Sequence, residues 1–180
     1  MEQFWIFGYG SLMWRPGFDF LRSEPALVRG YHRRLCVYSH VHRGTPDEPG
    51  LVLGLDRGGS CHGMAFQIAP DRWNETIAYL RAREQVTSVY VEKRMTARLM
   101  ATGLTAEATA FVVDRRHIQY AGVLEDEALV KHVSLGRGMS GNCIDYVLST
   151  VDHLRQMNIH DPTLERLARR LALQAASRSS

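Results

Sequence analysis

The sequence predicts an α+β protein with a mixed, barrel-like β-sheet and flanking helices. Three observations lead to this class. The first half of the chain reads as strands, interrupted by one helical stretch. Helical spacing then takes over from Leu124 onward. The order of strands, helix, strands, helices lacks the regular alternation of a doubly wound fold. With 180 residues, 45% hydrophobic and 23% charged, the chain has the composition of one globular domain with a substantial core. A single domain over residues 1–180 is expected, with a disordered Ser/Arg tail after about residue 176.

Phe4-Trp5-Ile6-Phe7 is a short apolar run that ends in Gly8-Tyr9-Gly10-Ser11-Leu12. It reads as a buried strand followed by a glycine turn. From Ala26 to Ser39 residues alternate between two mixed faces, the pattern of a long strand beside a partly polar interior. Leu51–Asp56 and Cys61–Ile68 read as two strands, with Arg57-Gly58-Gly59-Ser60 as a hairpin signal between them. Pro70 and Asp71 open a helix to about Gln85, in which Trp73, Ile77, Leu80 and Glu84 share one face. Val86–Leu99 and Glu107–Asp114 read as strands, and 115–122 as a loop containing Tyr120. Leu124–Leu135 is helical, and Gly136-Arg137-Gly138-Met139-Ser140-Gly141-Asn142 breaks it. Cys143–Met157 and the arginine-rich segment from Pro162 are further helices.

The net charge is +3, and Lys93 and Lys131 are the only lysines. Arginine suits carboxylate or phosphate recognition, but no basic stripe with interleaved aromatics marks a nucleic-acid binder. No run approaches the ~18 apolar residues of a membrane span, and no signal peptide opens the chain. Neither nucleic acid nor membrane is expected as a partner. Cys36, Cys61 and Cys143 form no CxxC pair and read as reduced core thiols of a cytoplasmic protein. The eight histidines show no ligand spacing, so neither metal nor cofactor is expected. No feature specifies an oligomeric state.

Three places can carry chemistry. The Tyr9-Gly10-Ser11-Leu12 loop is either a tight turn or an anion cradle of backbone N–H groups; it fails the dinucleotide pattern at Met13. Glu84 lies on an apolar helix face near the helix C-terminus, where burial and the helix dipole raise a carboxyl pKa toward that of a general base. Its bland alternative is a boundary residue paired with Arg33, Arg34 or Arg81. Ser140-Gly141-Asn142 can cap the following helix and can also face an anion.

Five blocks stand in order: Phe7 to Trp14; Gly30-Tyr31-His32-Arg33-Arg34 with His42-Arg43-Gly44-Thr45-Pro46; Tyr79-Leu80-Arg81-Ala82-Arg83-Glu84; Tyr120-Ala121-Gly122; and Ser140-Gly141-Asn142 with Tyr146. Together, over residues 4–155, they resemble the ChaC-like, glutathione-specific γ-glutamylcyclotransferases. The chain differs where the family commonly has glycine soon after its glutamate, since Gln85-Val86-Thr87-Ser88-Val89-Tyr90 has none. The resemblance implies a γ-glutamylcyclotransferase-like fold and cleavage of glutathione to 5-oxoproline and cysteinylglycine, with Glu84 as general acid/base. It implies substrate contacts from Tyr9, Gly10, Ser11, Leu12, Tyr120, Ser140 and Asn142. The distal carboxylate would fall to Arg34, or to Arg33 or Arg43. The competing expectations are the same reaction on other γ-glutamyl amino acids or amines, a non-catalytic sensor of an acidic metabolite, and an interaction protein using the basic C-terminal helix.

Overall fold

The computed structural model describes residues 3–84 and 88–178. Strand β1 (Phe4–Gly8) leads to a single 3-10 turn at Ser11–Met13, where the sequence showed only a turn. Strands β2 (Arg22–Ser39) and β3 (Gly50–Ile68) follow, then a 3-10 turn at Pro70–Arg72 that opens helix α1 (Trp73–Glu84). Next come β4 (Tyr90–Leu99), β5 (Thr105–Val113) and α2 (Asp126–Leu135). The short strands β6 (Arg137–Gly138) and β7 (Gly141–Asn142) precede α3 (Cys143–Gln156) and α4 (Pro162–Arg178).

The first five strands close into a barrel in the order β1-β3-β2-β4-β5, which confirms the barrel-like α+β expectation. The sheet is mixed. β1 runs antiparallel to β3, from Phe4 opposite Ile68 to Gly8 opposite Met64. It runs parallel to β5, with Trp5 opposite Ala108 and Ile6 opposite Thr109. β2 and β5 each pair antiparallel with β4. Having neighbours on both sides and buried side chains on both faces, β1 is a near-continuous apolar run, with Trp5, Ile6 and Phe7 all buried.

Two expectations are corrected. Leu51–Asp56 and Cys61–Ile68 are not two hairpin strands but parts of the single strand β3. Gly58 (φ +102°) and Gly59 (φ +67°) supply the backbone freedom of a turn. They use it to bend one strand, and His32 Nδ1 lies 2.8 Å from the Gly58 carbonyl at that bend. The segment 137–142 is not only a helix break, because it folds back on itself with Arg137 opposite Asn142. The C-terminal helix runs from Pro162 to Arg178. β4 is described from Tyr90; the expected strand start at Val86, with Gln85, Thr87, Ser179 and Ser180, lies outside the described residues.

The chain divides into two compact units. The first comprises residues 1–34 and 54–118. Its core joins Ile6, Leu12, Phe66, Ile68, Ile77, Leu80 and Phe111, with Trp73 and Tyr90 packed against it. Ile77 and Leu80 thus occupy the α1 face that the sequence marked as apolar. The second unit comprises residues 35–53 and 119–180 and contains α2, α3 and α4. Leu129 and Val133 of α2, Val147, Val151 and Leu154 of α3, and Leu164, Leu167 and Leu171 of α4 are buried there. Arg166 and Arg170 both reach Asp126 of α2 at 3.1 Å, so these α4 arginines serve helix packing.

Candidate active site

The conspicuous sequence blocks condense into two clusters, one in each unit. In the first unit the cluster forms around the loop that leaves β1. Met13 N–H closes the 3-10 turn on the Gly10 carbonyl at 2.9 Å. The amides of Gly10, Ser11 and Leu12 precede that bond and have no acceptor within the turn. Arg33, itself buried, holds the loop from β2. Its Nε donates to the Tyr9 carbonyl and its Nη2 to the His62 carbonyl at 2.7 Å. The buried guanidinium is therefore committed to shaping the turn.

α1 ends at Glu84, beside the same loop. The Glu84 side chain is 19% exposed, and burial raises its pKa above the ordinary 4.5, opposed by the Arg83 charge. Arg83 Nε lies 3.2 Å from Glu84 Oε1. The same guanidinium donates to Ser11 Oγ (3.0 Å) and to the carbonyls of Arg15 (3.0 Å) and Pro16 (3.1 Å). Ser11 and Glu84 thus share one arginine. The sequence considered Arg33, Arg34 or Arg81 as partners for Glu84. The observed partner is its neighbour Arg83, whereas Arg81 pairs with Glu92 at 2.7 Å. Sequence spacing gave no signal for Arg83, since adjacent residues on a helix do not ordinarily face each other.

Arg34 faces a different group. Its Nη1 is 3.4 Å from Asp56 Oδ2, and Arg115 Nε is 2.7 Å from Asp56 Oδ1. Asp56 is wholly buried, and sequence reading missed this ion-pair triad because the three residues are far apart in the chain.

In the second unit the His42-Arg43 block meets the Ser140-Gly141-Asn142 block. His42 Nδ1 lies 2.9 Å from Ser140 Oγ. Arg43 Nη1 donates to the carbonyls of Ser140 (2.7 Å) and Asn142 (3.2 Å), and its guanidinium lies over the Tyr146 ring. Tyr146 Oη accepts from the Leu53 amide at 3.1 Å. Tyr120 bridges to Val37 of β2. Asn142 caps α3, its Oδ1 accepting from the Asp145 amide at 2.7 Å. Asn142→Ala should therefore lower stability by about 1 kcal/mol, the usual worth of such a cap, as read by chemical denaturation.

The three cysteines are free and buried, and Cys143 Sγ sits 3.1 Å from the Leu51 carbonyl, with burial pushing its thiol pKa up. Cys143 is thus a packed thiol, held away from the thiolate character a nucleophile needs. Among the described residues, no cluster of His, Cys, Asp or Glu has the makings of a metal site, and no helix is long and apolar enough to cross a membrane.

A closed five-strand mixed barrel with flanking helices is the fold of the γ-glutamylcyclotransferases. A solved glutathione-specific γ-glutamyl cyclotransferase from yeast matches with a TM-score of 0.84 at 21% identity, covering 96% of each chain. A family described as "ChaC-like protein" matches residues 4–173. The chain is 35% identical over 157 residues to glutathione-specific gamma-glutamylcyclotransferase 1 of Mus musculus, covering 86% of this chain and 70% of that protein. It is 31% identical over 163 residues to the glutathione-specific gamma-glutamylcyclotransferase of Escherichia coli K12, covering 91% and 70%. The chain belongs to the ChaC-like family.

Proposed function

We propose that the protein is a γ-glutamylcyclotransferase that cleaves glutathione to 5-oxoproline and cysteinylglycine. The observation that carries the proposal is Glu84, a shielded carboxyl with a raised pKa, joined through Arg83 to the Ser11 loop. The reaction needs no enzyme nucleophile, because the substrate's α-amine attacks its own γ-carbonyl. A carbon–nitrogen bond forms and closes a five-membered lactam. The γ-amide carbon–nitrogen bond breaks, and cysteinylglycine leaves as its amine.

Glu84 in its carboxylate form takes a proton from the α-ammonium and returns one to the leaving nitrogen. A raised pKa makes it a stronger base near neutrality. The Tyr9–Leu12 segment, through its backbone amides and the Ser11 hydroxyl, holds the substrate's anionic oxygens, either the α-carboxylate or the developing oxyanion. Losing one oxyanion donor typically lowers kcat by ~10²–10³-fold. Folding the glutamyl moiety so that amine meets carbonyl contributes up to ~7–11 kcal/mol.

Roles in substrate binding for Arg34, Tyr120, Ser140 and Asn142 rest on the family resemblance. Their expected signature is a raised KM for glutathione. Residues 1–180 are taken as one catalytic domain, which the family match over residues 4–173 supports. Reduced, buried thiols and a thiol substrate fit work in the cytoplasm.

The deciding assay offers the purified protein glutathione and γ-glutamylalanine side by side, with 5-oxoproline measured. Release from glutathione well ahead of γ-glutamylalanine is expected. Preference for γ-glutamylalanine would reassign the substrate. Thermal stabilisation by glutathione with no product would leave a binding protein in place of the enzyme.

A further inference from the structure

One heavily engaged side chain at this site belongs to a residue with no assigned part in the chemistry. Arg83 bonds to three consecutive features of the loop that follows β1: Ser11 Oγ, the Arg15 carbonyl and the Pro16 carbonyl. Its Nη1 also donates to Tyr79 Oη one helical turn earlier, at 3.2 Å. Tyr79 closes against the next loop residue, Gly17, where a Cβ would lie 2.2 Å from the phenol oxygen and where φ is +75°. The loop from Ser11 to Gly17 is therefore seated on the last turn of α1 by one guanidinium and one phenol. Arg83 Nε faces Glu84 Oε1. Such a seat needs a fork of several N–H donors at fixed angles, which arginine has and lysine lacks.

We propose that Arg83 is a positioning residue that locks the Ser11–Gly17 loop to the end of α1, so that the loop and the Glu84 carboxylate keep one fixed separation. This rests on the reading of Glu84 given above. Two consequences follow. The Ser11 hydroxyl oxygen accepts from Arg83, so its proton is directed away from the guanidinium and is available as a donor to substrate. The Arg83 cation stabilises the ionised form of Glu84 and opposes the effect of burial, the charge acting on Glu84 from its own helix. Removing that cation drives the Glu84 pKa further up. The acid limb of the kcat/KM profile then moves to higher pH, because the base must be ionised to accept the ammonium proton.

The test compares Arg83→Gln, Arg83→Lys and Glu84→Gln with the parent protein in glutathione turnover between pH 5 and 9, with a melting curve for each. Arg83→Gln should lose about 10²-fold in kcat/KM, the scale of a small misplacement of reacting groups, with its acid limb displaced upward. Arg83→Lys should keep the parent limb yet still lose kcat/KM, since it restores the charge without the fork. If Arg83→Gln does not fold, the lysine variant decides, and parental kcat/KM in it overturns the proposal. The proposal also falls if Arg83→Gln turns over within twofold of the parent, or loses rate with an unmoved acid limb. An inactive Glu84→Gln beside either result shows that Arg83 has been misread and Glu84 has not. A fully active Glu84→Gln shows that the reading of Glu84 itself was wrong.

Discussion

Glu84→Gln is expected to lower the rate of 5-oxoproline release by about 10²–10⁴-fold, the usual weight of a positioned general acid–base group. It should do so while making the folded protein more stable at neutral pH. The carboxyl pKa in the folded state is raised above its ordinary 4.5, chiefly by burial. Below about pH 4.5 the group is protonated in both folded and unfolded chains, and its ionisation places no burden on folding. As pH rises through the higher folded-state value, the unfolded chain ionises more readily, and stability is lost. Glutamine carries no such penalty and can still accept from Arg83. Melting temperatures of the two proteins should therefore converge near pH 4 and separate, with Glu84→Gln higher, near pH 8. Parallel melting curves across that range would show that Glu84 is not held in a desolvated position. Undiminished turnover by folded Glu84→Gln would remove it from the mechanism.

The Asp56 triad should give the largest effect on stability. Asp56 has no exposed surface, and its two carboxylate oxygens face Arg115 at 2.7 Å and Arg34 at 3.4 Å. The arginines are partly solvated, at 45% and 30% exposure, so the residue that suffers when the triad is broken is the carboxylate. Replacing both arginines by methionine should cost about 3–5 kcal/mol, because it takes two cations away from a buried carboxylate that keeps a hydrogen bond from the Arg57 amide at 2.8 Å. Adding Asp56→Asn to that double variant should recover part of the loss, since the buried charge disappears. Urea denaturation of the double and triple variants measures both. A triple variant no more stable than the double would place the importance of these arginines in their packing and not in their charge. Because Arg34 is also a candidate for substrate binding, Arg34→Met should be assayed for KM separately from its melting temperature.

The barrel class, the opening strand, the apolar face of α1 and the position of Glu84 at its end were all legible in the sequence, because each is a local pattern. Trp73, Ile77, Leu80 and Glu84 declare a helical face by spacing alone. What escaped was set by the choice of partner. Gly58-Gly59 has the same conformational freedom in a hairpin as in a bent strand, and only the pairing of Met64–Ile68 with β1 decides between them. The meeting of His42 and Arg43 with Ser140 and Asn142 spans nearly a hundred residues and leaves no trace in spacing. Arg83 stood within a recognised block, yet its donors reach carbonyl groups, which are the same in every residue type.

The parallel pairing of β1 with β5 sets the timetable of assembly. Trp5 and Ile6 find Ala108 and Thr109 only after more than half of the chain has been made, and bringing such distant segments together carries a loop-closure entropy that local contacts do not. Proteins dominated by such non-local pairings fold slowly. The Ser11 loop hangs from β1, so during synthesis its final seat depends on one of the last junctions of the barrel to close. A nascent chain can thus display finished helical turns well before it has a place for the substrate. Activity regained on refolding should accordingly follow barrel closure, not the early return of helical signal.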